Sequence, residues 1–397
     1  MANIATPLSW RALNRPETAA TPERHEGRNR LPTFSHAIAW GSVHVKSRIL
    51  RHAGALAALL SVSGCSSVSY YAQSLDGHLE LMAARQNVER LIEKPSTPEP
   101  LRNRMAAAHE IRQFAITELD LPDNDSYRSY VDIKRDYVTW AVFAAPEFSL
   151  APHVKCFPVF GCVPYQGFFD PKDALREARR MKDEGFDVHI SGINAYSTLG
   201  LTSDPLLSTM FRADRTYLAG IVFHELAHQR VYVKGDTPFN EAFAVAVETT
   251  GVRKYLGAHG DTRGIRAYEA DRKRQAEFVG LIGRTRGELH KIYQNPGSDA
   301  EKRKAKDAAI KRLRARYEKM RDTKWGGDRA YDGWFATPIN NAKLAATSVY
   351  NDNVDHFIRL FELCGEDYPR FYDAVARYGK LERNERMDAL KAAKRCG

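Results

Sequence analysis

An apolar segment that contains two histidines and a glutamate places the strongest constraint on the fold of this 397-residue chain. The string His224-Glu225-Leu226-Ala227-His228 lies within residues 214–231, whose pattern predicts a helix. The neighbours of this string are largely apolar, so the helix is expected to be buried. Burying three ionisable groups costs free energy unless a metal ion or polar partners compensate. The segment therefore predicts a core helix with a site built into it.

The spacing of the two histidines indicates the kind of site. Successive residues of an α-helix are rotated by about 100°, so His224 and His228 lie about 40° apart on one face and can bind one ion. Glu225 is rotated by about 100° from His224. That places its carboxylate beside a metal ion, where a general base can take a proton from water. We predict that His224 and His228 are metal ligands and that Glu225 is catalytic.

The third ligand is expected on the next helix, predicted over residues 237–256 with Thr237 as its N-cap. This helix opens with Asn240-Glu241-Ala242-Phe243-Ala244, and Glu241 would complete a His2Glu site with an open fourth position. Glu248 lies seven residues further on, near the same helix face. Three roles remain open for Glu248: an alternative ligand, a partner that orients a histidine, or a residue that faces solvent.

These motifs resemble those of a known family. The string from Asn240 to Ala244 resembles the third-ligand helix of gluzincin metallopeptidases, and the two motifs together resemble the putative aminopeptidase family of bacterial zinc metallopeptidases. Other segments share this likeness: C-F-P-V-F-G-C-V-P-Y from Cys156, A-Y-S-T-L-G from Ala195, Y-D-G-W-F from Tyr331, and Asn340-Asn341-Ala342. The likeness covers nearly everything from Cys65 to about Leu360. It implies a zincin-like metallopeptidase domain, one Zn²⁺ ion and a peptide substrate.

The resemblance also implies roles outside the metal helices. Gluzincins commonly use a Tyr or His as a second donor to the developing oxyanion, and Tyr350 is the candidate here, with a structural role as the alternative. They also pair the substrate backbone with an edge strand that precedes the metal helix. The candidates for that strand, with an ordinary loop as the alternative, are Tyr196, Ser197, Thr198, Leu199 and Gly200.

Periodicity along the whole chain predicts an α+β fold that is predominantly helical and has a small edge-strand sheet. Aromatic and β-branched residues predict strands over residues 130–144, 156–169 and 186–193. Helical patterns, broken by prolines and glycines, cover the ranges 70–118 (interrupted at 95–100, with a second helix from 101 to 119), 170–184, 262–294, 299–322, 338–350 and 354–362.

The amino-terminal region predicts an export signal. Residues 1–42 have no sustained apolar period, which indicates disorder or a mis-assigned start. Residues 43–64 combine basic residues with an apolar run too short to span a bilayer, as in a signal peptide. The string V-S-G-C that ends at Cys65 resembles the bacterial lipobox, which implies lipidation of Cys65. Ser66, rather than Asp, follows the anchor and resembles lipoproteins sent to an outer membrane, so we expect attachment at its periplasmic face. The alternative to a signal peptide is a short buried helix that begins near Arg51. Residues 65–397 would then form the zincin-like domain, with helical N- and C-terminal parts.

The chain has five cysteines, and an odd number is expected if four of them pair and Cys65 has another role. Cys156 and Cys162 are close in sequence, and Cys364 and Cys396 lie far down the chain. A C-x5-C pair can also bind metal, but no second Cys pair or His cluster lies near it in the sequence. We therefore predict disulfides among these four residues.

The formal charge of +10 is concentrated in one predicted helix. Ten basic residues lie between Lys302 and Arg321, against two acidic ones. Apolar residues at helical spacing leave the basic side chains on a solvated face, with anionic lipid or an acidic substrate as alternative partners. We do not expect a nucleic-acid partner.

The sequence thus predicts a zinc-dependent peptidase, by its resemblance an aminopeptidase, held at a membrane by its lipid anchor. Two alternatives remain. One is a zinc endopeptidase that uses the same ligands. The other is a non-enzymatic envelope lipoprotein with a structural metal site, although such a site has no need of an adjacent base such as Glu225.

Overall fold

The computed structural model describes residues 70–157, 161–195, 197–198, 202–348 and 353–396. This part of the chain is predominantly helical with small sheets, which confirms the α+β prediction. Its strands are β1 (Gln86–Asn87), β2 (Ser129–Val131), β3 (Thr139–Pro146), β4 (Lys155–Phe157), β5 (Gly161–Val163), β6 (Tyr165–Phe168), β7 (Phe186–Ile193) and β8 (Leu206–Leu207). Its helices are α1 (70–83), α2 (Val88–Glu93), α3 (Glu99–Leu119), α4 (Pro171–Asp183), α5 (Arg215–Arg230), α6 (Thr237–Ala258), α7 (Thr262–Gln294), α8 (Asp299–Lys324), α9 (Asp332–Ala336), α10 (Asn341–Ser348), α11 (Val354–Leu363), α12 (Tyr368–Gly379) and α13 (Arg383–Lys391).

The principal sheet is antiparallel, with the strand order β6-β3-β7. Alternate residues of β3 face opposite sides, as the two-residue period of a strand requires. Val142 and Ala144 pack with α4, whereas Phe143 and Ala145 join the main core. The sheet therefore lies between α4 and the main core.

The predicted strand over residues 130–144 is divided in two, because a polar turn separates β2 from β3. Asp132 accepts a hydrogen bond from the backbone N–H of Lys134, whose φ of 50° is incompatible with a strand. In contrast, β7 and α7 have the bounds predicted from the sequence.

The hairpin of β4 and β5 contains one of two disulfides. Cys156 and Cys162 face each other across it and are bonded, and Cys364 is bonded to Cys396. The predicted pairing of four cysteines is confirmed. The fifth, Cys65, lies outside the described residues, as do all of residues 1–69.

The main core is built around α5, which packs against α3 and α6. Every residue from Tyr217 to His228 is buried, so this helix has no solvated face along that stretch. Among the described residues, no helix is both long and apolar enough to cross a bilayer.

A second core lies between α7, α8 and the segment that includes α9. The prediction that the basic side chains of α8 are simply solvated is wrong in part. Lys306 is buried and its Nζ lies 2.6 Å from Asp187, while Arg303 pairs with Glu147 at 2.6 Å. Much of the positive charge on α8 is therefore used in ion pairs that attach this helix to its neighbours.

The last three helices, α11 to α13, cover α6. Phe357 of α11 contacts Phe239 and Phe243 of α6, with ring centroids 5.0 and 6.1 Å apart. Phe371 of α12 lies 5.8 Å from Phe243. The helical C-terminal part was predicted only as far as residue 362, so α12 and α13 extend it.

Candidate metal centre

Two buried histidines of α5 face each other one helical turn apart. The helix begins after Asp214, whose side chain accepts a hydrogen bond from the N–H of Tyr217, a standard N-cap. Further along this helix, His224 and His228 are each 1% exposed. Their Nε2 atoms are 3.2 Å apart. Two ring nitrogens so close in a dry environment share either a proton or a cation.

The connection between α5 and α6 is fixed by two polar side chains. Asp236 caps α6 by accepting a hydrogen bond from Phe239 N, so the prediction of Thr237 as the cap is wrong by one residue. The amide of Asn240 donates to Val233 O and accepts from Val233 N, both at 2.8 Å. This pair of bonds orients the start of α6 against the loop, and Glu241 is the next residue.

Glu241 brings a carboxylate to the two histidines. Its oxygens lie 3.3 Å from Nε2 of His224 and 3.7 Å from Nε2 of His228. The three donor atoms lie within 4.8 Å of one another, and all three residues are buried. The structure thus brings together the three residues predicted as ligands.

The spacing of these donors can be compared with that of a zinc site. Zinc bonds of 2.0 to 2.2 Å in a tetrahedron separate neighbouring ligand atoms by about 3.3 to 3.6 Å. The two Nε2 atoms are 3.2 Å apart, and the Glu241 carboxylate lies 3.3 Å from His224 through Oε2 and 3.7 Å from His228 through Oε1, which is close to that range. Two imidazoles and one carboxylate are also a donor set that zinc accepts. The residues present fit a zinc ion.

Glu248 contacts the opposite side of His224. Its Oε2 lies 3.1 Å from Nδ1 of His224, and the side chain is fully buried, which excludes the solvent-facing alternative. A carboxylate in this position accepts the Nδ1–H and leaves the Nε2 lone pair for a metal. The contact favours Glu248 as an orienting partner over the alternative of a third ligand.

Close approach of the two ligand helices depends on Gly251. A Cβ at this position of α6 would lie 2.8 Å from Leu119 Cδ1 and 2.9 Å from Phe223 Cδ2. Phe223 directly precedes His224 on α5. The absence of a side chain at Gly251 therefore lets α6 approach the helix that carries the histidines.

Glu225 is buried beside the three donors, with 1% of its surface exposed. Burial raises the pKa of Glu225 to about 8. The positive charge of His224 and the hydroxyl of Ser197 act in the opposite direction, while the charges of Glu241 and Asp204 raise the pKa further. A carboxyl group with this pKa can both accept and release a proton near neutral pH.

The three ligand candidates hold a proton among them when no cation is present. Burial acts to lower the pKa of His224, but the carboxylates of Glu241 and Glu248 outweigh it and raise that pKa to about 10. Burial also acts to raise the pKa of Glu241, yet the two histidines lower it to about 2. Burial lowers the pKa of His228. His224 is therefore the protonated member of the group.

Two of the residues predicted to bind substrate are described, and they lie in a loop. Ser197 and Thr198 are buried and bond to Asp204: Thr198 N and Oγ1 each lie 2.8 Å from a carboxylate oxygen, and Ser197 Oγ lies at 3.2 Å. Neither of the two residues belongs to a strand. This agrees with the loop alternative for these two positions. The other residues predicted for substrate or oxyanion binding lie outside the described part: Tyr196, Leu199, Gly200 and Tyr350.

Sequence reasoning missed two tyrosines beside the site. Burial raises the pKa of Tyr165, and Glu241 is the charged residue with the largest further effect. Burial likewise raises the pKa of Tyr127, with Glu225 as its principal charged neighbour. Tyr165 is the last residue of the C-F-P-V-F-G-C-V-P-Y string, so the family-like segment could have identified it as a site residue. Tyr127 follows a polar turn about a hundred residues before α5, and no local pattern marks it.

Comparison with known proteins identifies a family for this chain, but no individual relative. A family model described as "Putative aminopeptidase" matches residues 69–390. No curated protein and no solved structure matches the chain. The matched residues include α5, α6 and the whole candidate centre. The family match covers most of the chain, so this protein belongs to the putative aminopeptidase family.

Proposed function

We propose that this protein is a zinc-dependent aminopeptidase that hydrolyses peptide bonds with Glu225 as its general base. Family membership supports a peptidase. The single observation that supports zinc is the convergence of His224 Nε2, His228 Nε2 and the Glu241 carboxylate, whose donor atoms all lie within 4.8 Å of one another. Glu225 lies beside them as an acid–base group, which a purely structural metal site does not need.

In this proposal His224, His228 and Glu241 hold the ion. When bound, zinc supplies Lewis-acid chemistry, because its charge lowers the pKa of water and of nearby carboxyl groups and polarises a carbonyl oxygen. Glu225 accepts the proton of the attacking water and passes it to the amine that leaves. Burial of Glu225 keeps bulk water from competing for that proton.

Glu248 has a supporting role in this proposal. By accepting the Nδ1–H of His224 at 3.1 Å, it fixes the tautomer in which Nε2 is the free donor. The second bond also restricts rotation of the imidazole. Glu248 therefore keeps His224 ready to bind metal.

We also propose that the domain is zincin-like, with α5 and α6 as its two ligand helices and the β6-β3-β7 sheet beside them. The chain that follows β7 leads directly to residues 196–200. Because Ser197 and Thr198 are buried in a loop and bonded to Asp204, we do not propose that they pair with the substrate backbone; Tyr350 remains the predicted oxyanion donor.

The location of the protein belongs to the same proposal. We propose that Cys65 carries a lipid anchor and holds the domain at the periplasmic face of the outer membrane. The test is incorporation of a labelled fatty acid during expression in a Gram-negative host. Label is expected in the wild-type chain and not in Cys65→Ala, and equal labelling of both would refute the anchor.

Metal analysis and peptide cleavage test the activity. The purified chain from residue 66 onward is expected to bind one zinc ion and to cleave peptides with a free amino terminus, but not the same peptides after N-acetylation. Glu225→Gln should keep the zinc and lose at least about 100-fold in kcat, since general base catalysis contributes on this order.

Other outcomes identify the alternatives. Equal cleavage of free and acetylated peptides would make the protein an endopeptidase. Bound zinc without turnover of any peptide would leave a structural metal site.

A further inference from the structure

Tyr127 has an unusual backbone conformation for a large side chain. Its φ is 64°, in the left-handed region that bulky residues rarely adopt. Its N–H donates to Asp204 O at 2.7 Å. Residues in such conformations persist where the surrounding structure fixes them, and they cluster at functional sites.

The turn before Tyr127 is fixed by a buried arginine and by α5. Arg112 donates through Nε to Ser126 O at 2.9 Å and pairs with Asp123 at 2.8 Å, and it also bonds the carbonyl of Asn124. The Asn124 amide donates to Gln229 of α5 at 2.7 Å. The turn is therefore attached directly to the helix that carries the histidines.

The hydroxyl of Tyr127 is buried close to the proposed base. Only 2% of the residue is exposed, and its hydroxyl has no hydrogen-bond partner among the described residues. Its electrostatic neighbours are Glu225 and then Asp204. A buried hydroxyl without a partner costs free energy, so a role for it is expected.

Of these two carboxyl groups, Glu225 has more capacity to accept a bond from Tyr127. Asp204 already accepts from Thr198 N, Thr198 Oγ1 and Ser197 Oγ. These bonds occupy both of its oxygens. Glu225, by contrast, has no comparable set of donors in the described part of the chain.

We propose that Tyr127 is a positioning residue, whose hydroxyl donates to one bridging water that in turn donates to the Glu225 carboxylate and holds this base in a single orientation. The inference rests on the proposed role of Glu225. The left-handed turn at Tyr127 is attached to the helix that carries Glu225, and the Tyr127 hydroxyl and both Glu225 oxygens are buried without a direct hydrogen-bond partner among the described residues. Sequence alone gives no indication of this contact.

Tyr127→Phe removes the hydroxyl and keeps the ring. We expect kcat to fall about 10- to 100-fold, by analogy with the loss of a partner that orients a metal ligand. KM, zinc content and melting temperature should stay unchanged. The matched control is Tyr372→Phe, which removes another buried hydroxyl, bonded to Leu119 O at 2.7 Å and without Glu225 among its electrostatic neighbours. An unchanged kcat in Tyr127→Phe, or an equal fall in the control, would refute the proposal.

Crystal structures of the zinc-loaded wild type and of Tyr127→Phe give a readout that does not depend on activity. The Glu225 carboxylate should occupy one orientation in the wild type and rotate or become multiple in the variant, with the three ligands unmoved. The same Glu225 orientation in both would refute the role of Tyr127 alone. Failure of the wild type to cleave any peptide would instead refute the proposed function.

Discussion

At the scale of single residues, two carboxylates on α6 contact the same histidine from opposite sides. Glu241 faces Nε2 of His224 and Glu248 faces Nδ1. If Glu241 is the ligand, Glu241→Gln should lose more zinc affinity than Glu248→Gln. The second variant should lose about 10- to 100-fold, as is usual for a partner that orients a ligand. Titration of zinc against a competing chelator measures both, and a larger loss in Glu248→Gln would reverse the assignment.

Zinc binding should release protons from this centre. The pKa of His224 is about 10 and that of Glu225 about 8 without a metal, so both are largely protonated at pH 7. A metal requires neutral His224 and favours ionised Glu225, so about one to two protons should leave per zinc ion. Because both pKa values are raised, zinc affinity should increase with pH up to about pH 10.

Calorimetry in two buffers of different ionisation enthalpy counts these protons. In Glu225→Gln the count at pH 7 should fall to about one, the proton of His224. A count near zero in the wild type would show that His224 is already neutral.

The sequence predicted only part of this centre. The spacing of His224 and His228 places both on one helix face whatever the tertiary structure, so their convergence could be foreseen. The choice between Glu241 and Glu248 depends on how α6 is rotated against α5, which is set by packing between helices. Tyr127 could not be foreseen, because a buried arginine and a left-handed turn bring it from a distant part of the chain.

At the scale of elements, the approach of α6 to α5 depends on a position without a side chain. Gly251→Ala places a Cβ 2.8 Å from Leu119 and 2.9 Å from Phe223, so these side chains must move. We expect the variant to lose about 1 to 3 kcal/mol of unfolding free energy, the usual cost of overpacking a core. Urea denaturation measures the change.

The control for this substitution lies on the same helix. A Cβ at Gly257 has no atom within 4 Å, so Gly257→Ala should stabilise α6 by up to about 1 kcal/mol through helix propensity alone. Stabilisation of both variants would show that the approach of α5 and α6 is not limited by residue 251.

Element boundaries followed the local signals where those were strong. A proline-bounded stretch and a capping aspartate, Asp261, define α7, whose ends match the prediction. The prediction failed where polar residues interrupt a strand pattern, as between β2 and β3. Such a turn competes with continuous pairing, and the pattern of apolar residues alone does not reveal it.

At the scale of the whole molecule, the carboxy-terminal helices support the candidate centre from outside. Arg386 of α13 forms a buried ion pair with Asp236, the residue that caps α6. Together with the aromatic contacts of Phe243, this ion pair holds α11 to α13 against α6, the helix that carries Glu241. The core of the molecule and the metal centre therefore share α6. Loosening the outer helices α11 to α13 should lower both the unfolding free energy and the affinity for zinc.

The disulfide between Cys364 and Cys396 cross-links these outer helices, so removing it tests whether they stabilise the metal centre. It joins residues 32 apart, and a cross-link over a loop of this length contributes roughly 3 to 4 kcal/mol in the chain-entropy account. The hairpin disulfide of Cys156 and Cys162 spans six residues and contributes roughly 2 kcal/mol by the same account.

Replacing both cysteines of each pair by alanine should therefore destabilise the C-terminal variant more in urea. That variant should also lose zinc at a urea concentration below its own unfolding midpoint, because its loosened helices cover α6, whereas the hairpin variant should keep zinc until it unfolds. Equal zinc retention in the two variants would show that the centre is stable without its outer helices.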